Sequence, residues 1–139
     1  MRVLEAFETS EKLAKEGREC EIEFGGQVIA KVWVRPADPS LNADYRRELA
    51  ELSVGILKDG ADLDEETDRR LLWVTYARTV IVDWEWTDPK DKKTKSLEFN
   101  EKNAVALFQR APKFFEAIQT VARKWSNYRA THEEEAAGN

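Results

Sequence analysis

Residues 19–34, ECEIEFGGQVIAKVWV, decide the fold class. Cys20, Ile22 and Phe24 alternate with Glu19, Glu21 and Glu23. That is the period-two pattern of a strand with one face on a core and the other in water. Gly25-Gly26 supplies the positive φ angles of a tight two-residue turn, and Val28 to Val34 reads as the returning strand. A lone hairpin is marginal in water, so its apolar face must pack on helices or on further strands, of this chain or of another subunit. Pro36 and Pro39 end the second strand, because proline donates nothing to a ladder.

The remaining chain has helical spacing. Asn42 is placed to cap a helix over about 42–53 that carries Tyr45, Leu49 and Leu52, with Gly55 and the following KDGAD ending it. The acidic run DLDEETD suits the positive end of a helix dipole and opens a helix over about 64–84. From Leu71 to Trp84 its apolar side chains occupy most of the circumference, with Thr75, Arg78, Thr79 and Asp83 along a polar strip, so it is expected to be the central helix. The β-branched run Thr79-Val80-Ile81-Val82 pulls against helix in its last turns. After the polar loop TDPKDKKTKS, Leu97 and Phe99 return extended to the body. Asn100 caps a helix over about 101–110, and Pro112 fits the first turn of another over about 112–128. The reading is an α+β fold: an N-terminal β-hairpin on a mainly α-helical body of about four helices. It forms one compact unit over 1–130, with 131–139 a flexible acidic tail.

Composition narrows the function. The chain has 139 residues and a net charge of −5, an acidic balance that disfavours nucleic acid as a partner. Cys20 is the sole cysteine, so neither an intramolecular disulfide nor a paired-cysteine metal site is available. No segment approaches the roughly 18 apolar residues needed to span a bilayer, and the N-terminus has no continuous apolar stretch, so no membrane association and a cytoplasmic location are expected.

No motif assembles into a reactive or metal-binding set. Asp62, Asp64, Glu66 and Asp68 alternate like the ligands of a calcium loop, but its sixth and twelfth positions hold Thr67 and Trp73 instead of glycine and glutamate. His132 lies in the polar tail, and Cys20 has no structured histidine to activate it. Asp83, Glu85 and Asp88 surround Trp84 and Trp86, yet carboxylates so close in sequence are ordinary at the end of an amphipathic segment. Lys90, Lys92, Lys93 and Lys95 lack a glycine-rich phosphate cradle and read as a solvated turn. The expectation is a protein that is not an enzyme and has no cofactor or metal. Its candidate partner-binding residues are Trp33, Trp86, Phe114, Phe115, Ile118 and Trp125, aromatic or apolar groups whose periodicity fits core and interface equally.

The wording and order of several segments carry a resemblance. ARTVIVDWE at 77–85, FNEKNAVALF at 99–108 and PKFFEAIQTVA at 112–122 follow one another across a polar loop. Upstream stand the hairpin and an N..Y...L helix at Asn42, Tyr45 and Leu49. This pattern resembles the tail assembly chaperones and related small tail proteins of long-tailed bacteriophages. The resemblance implies a non-catalytic assembly factor that binds and solubilises the tape measure protein, helps recruit tail tube subunits, and is absent from the mature virion. The alternatives are a structural tail or head–tail component retained in the particle, or a small acidic inhibitor of a host protein.

Overall fold

The computed structural model describes residues 8–59, 64–87 and 97–130, with the side chains of 55–59 left aside. The order is α1 (Glu11–Glu16), β1 (Arg18–Phe24), β2 (Gln27–Val34), α2 (Ala43–Asp59), α3 (Glu65–Thr79), β3 (Ile81–Trp86), α4 (Glu101–Arg110) and α5 (Pro112–Arg123). A 3₁₀ turn over Trp125–Tyr128 follows. The fold is α+β, and the expected hairpin is present with Gly25 and Gly26 at φ 60° and 79°.

Among the described residues the sheet has three antiparallel strands in the order β1-β2-β3, one more than the expected hairpin supplies. Cys20, Val32 and Trp84 form one cross-strand row and Ile22, Ala30 and Trp86 the next, and these rows face the core. Glu19, Trp33 and Asp83, then Glu21, Lys31 and Glu85, form the rows of the other face. Two bulges interrupt the ladders. Ile22 pairs with Ala30 but Glu23 with Val28, which leaves Ile29 as the extra residue; likewise Trp33 pairs with Asp83 but Val34 with Ile81, which leaves Val82. A bulge breaks the two-residue alternation, so Val82 turns outward at 42% exposure while Val80 and Ile81 stay buried.

The expected helix over 64–84 therefore ends at Thr79, and its last turns are strand. The β-branched preference of Val80, Ile81 and Val82 prevails because an open edge of β2 is there to pair with. Of the expected polar strip, Thr75 and Thr79 are buried. Each hydroxyl donates to the carbonyl four residues back, Leu71 O at 2.8 Å and Thr75 O at 2.7 Å, so neither needs water. Asp64 caps α3 through Thr67 N at 2.7 Å, and Asn100 caps α4 through Asn103 N at 2.8 Å. Asp62 of the calcium-like run lies outside the described residues.

Three further boundaries differ from expectation. Helix α2 continues past Gly55 to Asp59, since a glycine inside a helix costs only about 1 kcal/mol. Helix α1, capped by Ser10, is too short for periodicity to reveal. The last helix stops at Arg123 rather than 128: Asn127 Nδ2 donates to Val121 O at 3.1 Å, and the chain turns so that the Tyr128 hydroxyl donates to Val34 O at 3.1 Å. Thr9 bridges Arg129, closing the N-terminal segment against this turn. The tail at 131–139 lies outside the described residues.

Aromatic contacts fill the space between sheet and helices. Phe115 sits 4.9 Å from Tyr76 and 5.0 Å from Phe108, and Trp84 meets Phe99 edge-on at 5.0 Å. Trp84 Nε1 donates to Leu97 O at 2.9 Å, which ties the segment before α4 to β3. At the opposite end Asn42, fully buried, donates through Nδ2 to Pro36 O at 3.0 Å and Thr79 O at 2.8 Å. Its Oδ1 accepts from Tyr45 N at 3.1 Å. Arg78 of α3 bonds Glu48 of α2 and Glu101 of α4, an exposed clamp worth at most about 1 kcal/mol per pair.

Replacing Asn42 by alanine removes a cap and two buried bonds, and denaturant unfolding should show a loss of about 2–4 kcal/mol. Asn42→Asp keeps the cap acceptor but sets a carboxylate against two carbonyls. It should be less stable than wild type at neutral pH and recover stability as pH falls toward about 4, where the new carboxyl protonates.

Candidate functional site

The hairpin reaches past the body at its tip. Phe24, expected on the buried face with Cys20 and Ile22, is 78% exposed. The extra residue of the bulge, Ile29, belongs to β2, so Phe24 keeps its alternation with Ile22 and lines the same groove; it is exposed because it sits next to the turn, past the end of the core. A Cβ on Gly25 or Gly26 would meet nothing within 4 Å, so the turn stands clear of the body.

Between this tip and the α4–α5 corner lies a groove of about 480 Å³. Ile22, Phe24 and Ile29 form the hairpin wall; Trp86, Leu107 and Phe114 form the other. Ala111 and Ala117 leave the space open, because at both places a side chain no larger than a methyl group faces the gap. Among the described residues Glu23 and Lys113 are the charged groups of the lining. Trp86 stacks on Phe114 at 5.3 Å and 21° between planes, and among the described residues its buried Nε1 has no hydrogen-bond partner. An unpaired buried donor costs about 1–3 kcal/mol. A second depression, of about 530 Å³, lies between α1 and the start of α2. Its main charges already satisfy each other: Arg35 donates to Ala14 O at 2.8 Å and to Asp44 at 2.9 Å.

Of the six candidate partner-binding residues, Trp86 and Phe114 come together in the groove. Phe115 and Ile118 are core, packed under the sheet, and present no surface while the chain is folded. Trp33 is half-buried in an outward row of the sheet, and Trp125, 37% exposed, sits on the 3₁₀ turn; neither lines the groove. Sequence reasoning missed Phe24, Ile29 and Leu107. The signal for Phe24 was its place beside a Gly-Gly turn, where both core and cross-strand neighbours run out.

Titratable chemistry is sparse. Burial, the largest influence, pushes the Cys20 thiol up to about 11, against a smaller opposing pull from Arg18. The thiol is thus held protonated at neutral pH. Burial also pushes up the phenols of Tyr128 and Tyr76. Among the described residues no group of three or more His, Cys, Asp or Glu side chains is arranged to hold a metal ion. No helix among them is long and apolar enough to cross a membrane. His132, Asp88 and the four lysines of the polar loop lie outside the described residues.

The fold and groove thus define a small α+β protein whose aromatic concavity is built for apolar contact. Residues 40–139 match the family described as YdaY prophage protein, so the chain belongs to that family and is of prophage origin. No curated protein and no solved structure matched the chain.

Groups held protonated by the fold stabilise it below their unfolded-state pKa and lose that contribution as pH rises toward the folded value. The melting temperature should therefore hold from neutral pH to about the ordinary thiol value of 9.0, then fall through the thiol and phenol range. In Cys20→Ser the fall should begin later, nearer the ordinary phenol value of 10.0. Alkylation of Cys20 at neutral pH should be slow in the folded protein and fast in denaturant.

Proposed function

We propose that this member of the YdaY prophage protein family is a non-catalytic tail assembly chaperone, which binds and solubilises the phage tape measure protein and helps recruit tail tube subunits. The observation that carries this reading is the apolar groove at the hairpin tip, with aromatic walls and little charge. A tape measure protein is long and helical and exposes apolar stripes that self-associate unless covered. One turn of such a stripe can lay its apolar side chains against Phe24, Trp86 and Phe114, as an amphipathic helix does in a receiving groove. The chain's net charge of −5 keeps the covered complex soluble. Prophage origin and the order of motifs around residues 77–122 support the same role. The work would be done in the cytoplasm of the bacterial host, before the tail is complete.

Co-expression with the tape measure protein of the same genome, followed by size-exclusion chromatography with light scattering, tests the proposal. The expected result is a soluble complex with several copies of this chain per tape measure chain. Ala117→Arg, which fills the groove with a charged side chain, should abolish the complex while leaving the melting temperature near wild type. A tape measure protein that stays insoluble beside the wild-type chain would overturn the reading.

A further inference from the structure

We infer that in the absence of a partner the groove is covered by a second copy of this chain, in a two-fold dimer where each hairpin tip fills the other's groove. The inference concerns the groove invoked above but rests only on this chain's own geometry.

Knob and hole lie side by side. Phe24 is the most exposed large apolar side chain among the described residues, and it forms the lip of the groove itself. A two-fold contact must be self-complementary, with each patch meeting its own copy. When projection and cavity adjoin, an axis through the lip delivers each Phe24 into the opposite groove in one closed contact. The charges at the groove are compatible with this arrangement: Glu23, next to Phe24 in the chain, and Lys113, next to Phe114, both line it with opposite sign, so a two-fold contact that seats one tip in the other groove can set Glu23 of each copy against Lys113 of the other. Glu23 makes no ion pair among the described residues, and Lys113 has only an exposed contact to Glu116 at 3.1 Å. The groove, at about 480 Å³, has ample room for a phenyl ring and the adjoining glycine turn.

The competing mode, pairing of two β1 edges, is disfavoured by the same sequence. An antiparallel β1–β1 ladder centred on Glu21 sets Glu19 against Glu23 and Glu21 against itself, a row of like charges of the kind that keeps exposed edges apart.

Analytical ultracentrifugation of the purified full chain, from micromolar to millimolar concentration, tests the inference without any partner present. Wild type should reach a mass of two chains. Phe24→Asp should raise the dissociation constant about thirtyfold or more, as loss of a buried aromatic anchor does. Glu23→Lys and Lys113→Glu should each weaken the dimer, because each places like charges across both contacts. Mixed together, these two variants should form a heterodimer. In it the introduced lysine of one chain meets the introduced glutamate of the other, and the second contact keeps its native Glu23 and Lys113. All three positions are exposed, and unchanged melting temperatures would show that the variants fold. A wild-type chain that stays monomeric to millimolar concentration would overturn the inference and leave the groove to a different protein. So would species larger than two chains, or variants that do not recombine. Tape measure binding is read separately, in co-expression, so either proposal can fail without the other.

Discussion

Asn42 is the joint on which the two halves of the fold depend. Its amide hydrogens reach the carbonyl of Pro36, where the hairpin ends, and that of Thr79, where α3 gives way to β3, while its oxygen starts α2. A helix terminus, a strand exit and a strand entry are thereby fixed within one side chain's reach. Each has backbone groups that regular structure leaves unpaired, and at zero exposure water cannot satisfy them. Arg35 N, which donates to Val80 O at 2.7 Å, continues the same seam by one residue. With α3 held against the end of β2, Ile81 is delivered to the open edge of the hairpin, and the third strand follows.

That third strand controls the shape of the surface. Pairing β3 with β2 brings Trp84 and Trp86 into the core-facing rows, where Trp86 stacks on Phe114 and becomes a wall of the groove. The bulge adds Ile29 to the other wall, beside Ile22 and Phe24. Gly17 anchors the far end of the hairpin. At φ 85° its Cα lies so near the backbone of Val34 and Trp33 that a Cβ would stand 3.0–3.1 Å from them, too close for any side chain without local movement.

Much of this was legible in the residues. The Glu/apolar alternation with Gly-Gly announced the hairpin, and Asn42, Asp64, Asn100 and Pro112 each marked a helix start that the structure retains. What escaped was set by tertiary context. Thr79 to Val82 carries both helix and strand signals, and only the free edge of β2 decides between them. Bulges leave no local mark, and the alternation that revealed β1 cannot show where the core ends, so Phe24 was placed inside although the turn beside it stands clear of the body. Tyr128 reads as the end of an amphipathic helix, and its bond to Val34 spans most of the chain. The groove was half legible: Trp86 and Phe114 drew notice as aromatic groups, but small residues such as Ala117 define a cavity by what they lack.

The family match covers residues 40–139, so the hairpin lies outside the matched segment, yet it supplies one wall of the groove. Strand pairing joins the hairpin to β3 through main-chain bonds, which place few demands on side chains that point away from the core. The tip beyond the bulge is freer still, because Phe24 and the two glycines support nothing beneath them. Residues at the tip can therefore be exchanged, and the shape and charge of that wall of the groove altered, at little cost to the helical body.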